Sequence, residues 1–298
     1  IGNGWTSRMI QEIAPSLGDF SLESYNNIIE SSSVSCSLEG RYSIVDGLDD
    51  VIRSFVTDEI KEKTNECLSN YYISLMERED IVIDTEMVLE FAKYSSDKEK
   101  EDVFLDKVLP LLQNMESEQR YREMEMILNS FESSLVNCAD IETKRKYLEK
   151  QYSASYNTLS FEKAILTADS LLMIADNYDY KYKSWVYSIK GDAEFSAGRY
   201  RDELNSRVNA LEILKQVLPE NHPDTLSALN KLAGCLLDLG RYKEALEKLE
   251  RCYEMRKQVL TENHPDTLQS LNSIALCLSD LGKHEEALEK HERCYEIR

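Results

Sequence analysis

Residues 217–256 set against residues 259–298, an offset of 42, are identical at 28 of 40 positions. Self-similarity of this kind constrains a chain more than any other feature, because each copy has to be one supersecondary unit that buries on its neighbour the apolar face it cannot bury alone. Each copy opens with Glu-Asn-His-Pro-Asp-Thr-Leu, runs to Leu-Gly, and continues through Glu-Ala-Leu-Glu-Lys to Arg-Cys-Tyr-Glu. Pro223 and Pro265 stand where the first turn of a helix tolerates a missing N–H, and Asp224 and Asp266 place negative charge at the positive end of its dipole. From there Leu226, Leu229, Leu232, Ala233, Leu236 and Leu239 recur at three- and four-residue spacing, which lays one apolar stripe along a helix. Gly240 and Gly282 stop that helix, glycine being the residue that enters the left-handed region without strain. A second helix carries Ala245, Leu246, Leu249, Cys252 and Tyr253, again at helical spacing, and the small side chains of Ala233 and Ala245 predict close approach of the pair. The pattern therefore predicts antiparallel helix pairs that stack.

Composition agrees with helices and narrows the partners. Across 298 residues there are only 10 Gly and 5 Pro, too little punctuation for a strand-rich fold, and 42% hydrophobic content is ample for a core. The net charge of −20 repels nucleic acid and anionic lipid, so neither is expected as a partner. Residues 215–298 hold 15 acidic and 12 basic side chains, which leaves most of that charge upstream. No run of about 18 apolar residues predicts a membrane crossing. Seven cysteines, an odd number without a secretory signal, predict reduced thiols and a cytoplasmic setting. Cys235 and Cys252 recur as Cys277 and Cys294, a spacing better explained by core packing than by metal or redox chemistry.

Leu229, Ala233, Leu236, Gly240, Tyr242, Ala245, Leu249 and Cys252 fall on the signature positions of the tetratricopeptide repeat. Residues 217–298 resemble its longer form, found in kinesin light chains and in signalling ATPases with repeat sensors; His284 replaces the tyrosine in the second copy. Gly191, Gly198, Arg199 and Tyr200 repeat the pattern over 181–217, although Glu203 and Arg207 replace the expected alanine and large apolar residue. Tyr147, Tyr152, Ala164, Ala168 and Leu171 fit another pair, and 101–135 a degenerate one in which Pro110 should kink or interrupt a helix. The resemblance implies a mostly α fold, a right-handed α-solenoid of antiparallel helix pairs. At least four pairs are expected between residues 100 and 298, with strand only before residue 50.

The first sixty residues break the rhythm. Residues 20–29 predict a short helix, 31–37 are a serine-rich polar run, 38–45 a turn into a short strand, and a further helix follows from Asp49. Residues 40–55 resemble the end of the winged helix in the NB-ARC (STAND) class of signal-transducing ATPases, where a Met-His-Asp triplet faces the nucleotide phosphate. Here Ile44-Val45-Asp46 occupies that place, so the imidazole is absent. The domain organisation expected is a winged-helix-like subdomain over 1–60, degenerate helical repeats over 61–180, and tetratricopeptide repeats over 181–298 with the last one truncated. The final helix is expected to present Leu288, Cys294, Tyr295 and Ile297 toward a missing neighbour, which predicts self-association or fraying there.

Catalytic chemistry is not visible in the chain. There is no Gly-rich phosphate loop, no Gly-x-Ser-x-Gly elbow and no His-Glu-x-x-His pair, so no catalytic, cofactor or metal residue is singled out and this segment is not expected to be an enzyme. His222 and His264 belong to the repeat linker and His284 and His291 lie seven residues apart on one helical face, and a helix terminus or solvent suits all four better than metal ligation; Trp5 and Trp185 suit the core or helix packing. The resemblance implies a ligand groove lined by the inner face of each first helix: Ser227, Asn230, Leu237 and Asp238, then Gln269, Asn272, Ser279 and Asp280. The amides of Asn230 and Asn272 can donate to and accept from a peptide main chain, or equally bridge neighbouring helices. A carboxylate clamp is not expected, since the groove lacks a Lys/Arg cluster. The expected function is a protein-interaction and ligand-sensing repeat segment of an NB-ARC/STAND-type ATPase, bound by a protein or peptide, with any nucleotide-binding module upstream. The alternative is a kinesin-light-chain-like cargo or scaffold adaptor; an upstream heptad coiled coil would favour the adaptor, a phosphate loop the ATPase.

Overall fold

The computed structural model describes residues 58–297 together with three short strands, β1 (Trp5–Thr6), β2 (Val34–Cys36) and β3 (Arg41–Ile44). β3 is central and antiparallel to both neighbours, with Tyr42 opposite Trp5 and Ser43 opposite Ser35. The strand expected after residue 40 is present, and β2 falls inside the serine-rich run. The helices expected over 20–29 and from Asp49 lie outside the described residues, as does most of the segment 1–60. Among the described residues strand occurs only before residue 50. The chain divides into two compact units, Ile1–Tyr147 and Leu148–Arg298.

In the first unit the helices are α1 (Asp58–Met76), α2 (Thr85–Tyr94), α3 (Asp97–Val103), α4 (Leu109–Ser117), α5 (Tyr121–Val136) and the start of α6 (Ile141–Asn157). Local chemistry sets their starts: Asp84 caps α2 by accepting from the Met87 N–H at 2.9 Å, and Ser96 with Glu99 forms a reciprocal capping box on α3. Aromatic rings fill this core. Phe91, Phe104, Phe131 and Tyr147 are fully buried, with centroids 6.0–6.3 Å apart in sequence of contact, and the Tyr147 hydroxyl donates to the Leu128 carbonyl at 3.2 Å. Pro110 interrupts the helix as expected. It has no N–H to give the carbonyl four residues back, and the chain widens into a π-turn over Phe104–Val108, with the Leu109 N–H reaching the Phe104 carbonyl, before α4 resumes.

In the second unit α6 ends and α7 (Phe161–Ile174), α8 (Tyr180–Ser196), α9 (Tyr200–Val217), α10 (Pro223–Asp238), α11 (Tyr242–Leu260), α12 (Pro265–Asp280) and α13 (His284–Ile297) follow. From α7 onward each helix packs on the next in chain order, the arrangement of an α-solenoid. Ala233, Leu236, Ala245, Leu249 and Tyr253 form one buried cluster with Leu271, Ile274 and Leu278 of the following copy, so the apolar stripe read from the sequence is the interface between repeats. The repeated cysteines are core residues whose thiols donate to carbonyls of other helices: Cys252 to Leu226 at 3.3 Å and Cys277 to Tyr242 at 3.2 Å. Cys294 corrects one expectation. It packs against the core and donates to the Leu268 carbonyl at 3.7 Å, because the 42-residue register places it where Cys252 sits; Leu288 and Tyr295 are exposed, while the Ile297 side chain lies outside the described residues.

A single turn geometry punctuates both units. Gln119, Leu159, Gly198, Gly240 and Gly282 all adopt left-handed backbone, with φ between 60° and 76°. At each, the following N–H reaches the carbonyl five residues back at 2.8–2.9 Å, as in Arg120 to Met115 and Arg241 to Leu236. These positions are 40, 39, 42 and 42 residues apart. After all of these but Leu159, which Ser160 follows, a cation opens the second helix and pairs one turn on, Arg120 with Glu123, Arg199 with Asp202, Arg241 with Glu244 and Lys283 with Glu286.

Candidate ligand-binding face

The first helix of each pair in the second unit is fixed at both ends. His222 and His264 are N-caps whose Nδ1 atoms accept from the Asp224 and Asp266 N–H groups at 3.2 Å, and the left-handed glycines close the far ends. Counting from those glycines puts Trp185, Ser227 and Gln269 in register on α8, α10 and α12, then Ser188, Asn230 and Asn272, then Phe195, Leu237 and Ser279. Ser227, Asp238, Gln269, Asn272 and Asp280 are exposed; Asn230, Leu237 and Ser279 are half-buried. The two asparagines differ. Asn230 Oδ1 accepts from Ser270 Oγ of the next first helix at 3.3 Å, the bridging role, whereas the Asn272 side chain stands exposed. Leu237 packs against the core cluster as well as reaching the surface.

Trp185 departs from the expectation of a core residue. It is 41% exposed and packs along α8 against Tyr182, ring centroids 5.4 Å apart and planes tilted by 39°, because its register position is the surface one held by Ser227 and Gln269. Phe195, 44% exposed, lies toward the other end of α8. Between them, Asp192 receives Arg207 Nη2 at 2.8 Å and Lys231 Nζ at 3.4 Å, and Lys231 also donates to Ser188 Oγ at 2.8 Å. Arg207 in turn is buried, bonded to the Ser188 carbonyl at 2.9 Å and to Glu203 Oε1 at 3.0 Å. A Cβ on Gly191 would meet that guanidinium at 3.0 Å, so a larger residue there would push the Arg207 head group aside by a few tenths of an ångström.

The tetratricopeptide repeat model matches residues 182–258 and again 224–298. This part of the chain is a tetratricopeptide-repeat array. No curated protein matches the sequence. The fold is similar to that of nearly identical TPR-like repeats described as a kinesin light chain from Podosopora anserina, with a TM-score of 0.58 at 17% identity over 66% of this chain and 95% of that one. It is also similar to BtubC from P. vanneervenii, with a TM-score of 0.53 at 13% identity over 82% and 92% of the two chains, and to RapI in its apo form, 0.52 at 18% over 62% and 68%. At these identities the likeness is one of fold, and the tetratricopeptide fold is an interaction module.

Within the tetratricopeptide array, burial decides the ionisation of the polar core. Burial pushes the Glu203 and Glu194 carboxyls up, the first partly offset by Arg207 and the second by a hydrogen bond from Ser206 at 2.7 Å. Burial opposes the charge on Arg207, but Asp192 and Glu203 hold it protonated. The Cys235 thiol is pushed up to about 12 by burial and by the neighbouring Glu203 charge, which keeps it neutral and unreactive. Among the described residues no cluster of three His, Cys, Asp or Glu side chains could hold a metal, and no helix is long and apolar enough to cross a membrane. Sequence reading missed Trp185, Ser188, Phe195 and Lys231 on this face. Projecting the groove positions back from Gly240 to Gly198 would have found Trp185, Ser188 and Phe195; Lys231, one residue beyond Asn230 on α10, has no such signal.

Proposed function

We propose that the stripe running across α8, α10 and α12 binds an extended protein or peptide ligand. The observation that carries this reading is the register itself: three adjacent first helices present Trp185, Ser227 and Gln269 in one row and Ser188, Asn230 and Asn272 in the next, while their opposite sides are buried. Asn272 and Gln269 supply exposed amides for a main chain, and Trp185 and Phe195 supply apolar contact at one end. Ser227, Asp238, Ser279 and Asp280 line the same path, and Asn230 acts as the strut that fixes α10 against α12. A photo-crosslinking residue placed at Gln269 should capture a partner that the same residue at Glu254, exposed on α11, does not, and Asn272→Asp should abolish that capture. Equal capture from both positions would reject the face.

We further propose that the array is the ligand-sensing part of a STAND-type signalling ATPase. The support is the resemblance of residues 40–55 to the end of a winged helix, together with β2 and β3 as antiparallel neighbours with β1 added at the β3 edge. Expression of the intact gene product and assay for nucleotide bound after purification tests this; absence of nucleotide and of any hydrolysis would leave the adaptor reading.

A further inference from the structure

The junctions that lead into α10 and α12 carry the same residues with one exchange. Residues 217–225 read Val-Leu-Pro-Glu-Asn-His-Pro-Asp-Thr and residues 259–267 Val-Leu-Thr-Glu-Asn-His-Pro-Asp-Thr, so Thr261 stands where Pro219 does. Their backbones differ. α9 stops at Val217, and Leu218 is already extended at φ −111°, ψ 148°, because the residue before a proline is pushed out of the helical region. The Pro219 carbonyl then accepts from the His222 N–H at 3.0 Å. α11 runs one residue further, through Leu260, and the chain turns away at Thr261 with φ 86°, ψ 163°, a conformation open essentially only to glycine. Among the described residues no bond joins the His264 N–H to the Thr261 carbonyl; that carbonyl accepts instead from the buried Thr267 hydroxyl at 2.8 Å.

Strain of this kind persists only where the surroundings over-determine it, and here the restraints can be named. Arg256 is buried and donates to the Asp266 carbonyl at 2.6 Å and to Ser270 Oγ at 2.8 Å, which fastens the first turn of α12 to α11. In the earlier junction Leu214 and Ala228 hold the positions of Arg256 and Ser270, so this clamp is missing, and the buried Thr225 hydroxyl has no partner. The linker glutamates are tied to the following second helix in both copies, Glu220 to Arg251 and Glu262 to Arg293, so that tie does not choose between the backbones. Each backbone carries one defect of similar size, strain at Thr261 in one and an unpaired buried hydroxyl in the other. We propose that the α11–α12 junction is a two-position joint that adjusts the ligand-binding face. Arg256 and Thr267 hold the strained position; the second position is the backbone of residues 217–222, with Leu260 extended and the carbonyl of residue 261 turned to the His264 N–H. Ser270, gripped by Arg256, is also where Asn230 of α10 rests, so opening shifts Gln269 and Asn272 against Ser227 and Asn230. The joint stands on the junction geometry alone, whereas its effect on a ligand rests on the reading of that face given above.

The test uses the full chain, with NMR reading the Leu260 Cα shift and the His264 amide exchange rate. Thr261→Pro excludes the strained position, since a proline ring holds φ near about −65°. It should move Leu260 from a helical to an extended shift and slow His264 exchange by about tenfold or more, because that N–H gains a carbonyl. Arg256→Leu and Thr267→Val, which remove the clamp and the latch without adding a proline, should move both signals part of the way in the same direction. Thr261→Gly removes the strain and should leave Leu260 helical. A helical Leu260 in Thr261→Pro, or loss of amide protection throughout residues 265–297 in that variant, overturns the joint. So do parent values of both signals in Arg256→Leu and Thr267→Val together. With a photo-crosslinking residue at Gln269, Thr261→Pro should capture a partner about fivefold less than Thr261→Gly does. Equal capture while the junction signals move overturns the effect on the face and leaves the joint; no capture even in the parent chain rejects the face, and the junction signals still decide the joint.

Discussion

Two neighbouring pairs of the array, α8 with α9 and α10 with α11, share a backbone and differ in what fills it. Both close on a left-handed glycine with the same pair of carbonyl hydrogen bonds. At three facing positions the second pair has Ala233, Ala245 and Leu249, all buried and apolar, where the first has Gly191, Glu203 and Arg207. The exchange is a coupled set. Glu203 enters where only a methyl group is usual because Arg207, one turn later, bonds it, and Arg207 fits because Gly191 surrenders its Cβ. The repeat is therefore conserved as a volume and a turn geometry, and an ionic core can replace an apolar one if every member changes together. Burial of such a pair is not evidence of added stability, since desolvation offsets the attraction.

The largest effect expected from this comparison is that of a single member moved alone. Ala245→Glu puts an unpaired carboxylate at a fully buried site and should cost about 3–5 kcal/mol, read from denaturant unfolding. Adding Leu249→Arg and Ala233→Gly, the other two members of the set, should recover a large part of that loss. If the triple variant is no better than the single one, the coupling inferred from α8 and α9 is wrong.

The reverse experiment separates breaking the set from replacing it. Arg207→Leu alone strands Glu203 in the core and should cost about 3–5 kcal/mol, whereas Gly191→Ala/Glu203→Ala/Arg207→Leu should be neutral or stabilising by about 1–4 kcal/mol. Asp192 is not orphaned in the triple variant, because Lys231 remains 3.4 Å away. A triple variant as unstable as Arg207→Leu would show that the network carries a specific structural load.

The contrast also explains what the sequence revealed. Helix pairing over residues 217–298 was legible because glycine, proline, small residues and leucine recur at a fixed period. The 181–217 copy was legible at its turn, through Gly198, Arg199 and Tyr200, but not in its core, since Glu203 and Arg207 read as violations until their partners are seen. Upstream, the turns at Leu159 and Gln119 were invisible, because residues that are costly in left-handed backbone occupy them. On the ligand-binding face the polar positions of α10 and α12 were readable from family geometry, while Trp185 was assigned to the core because its residue type outweighed its register.

A smaller effect separates the two pairs by pH. Glu194, buried beside the charged set, has its carboxyl raised above the ordinary value of 4.5 by burial. Between 4.5 and the raised value the folded chain holds more protons than the unfolded one, so this group's contribution to stability falls as pH rises through that window. Glu194→Gln removes the titration, and Ser206 can still donate to the amide oxygen. The variant should gain relative to the parent chain between pH 4.5 and pH 8 when unfolding is followed by circular dichroism. A constant difference across that range would place the Glu194 carboxyl in an ordinary, solvated state.

The smallest effect concerns the turns. Leu159 adopts φ 63° with its side chain 73% exposed, in the geometry that Gly198, Gly240 and Gly282 adopt at 71–76°. A side chain in left-handed backbone costs about 1–2 kcal/mol, and the added chain entropy of glycine in the unfolded state returns about 0.5–1 kcal/mol of that. Little burial is lost with the exposed leucine. Leu159→Gly should therefore stabilise the second unit by about 0.5–1 kcal/mol, and Gly240→Ala should destabilise it by about 1 kcal/mol or more, because its Cβ meets open space and only the backbone term operates. Chemical denaturation of both variants, read against the parent, gives opposite signs if one turn geometry is shared by the legible and the hidden copies. A loss of stability in Leu159→Gly would mean that the leucine contributes a contact that the other turns lack, and that the upstream copy closes by different means.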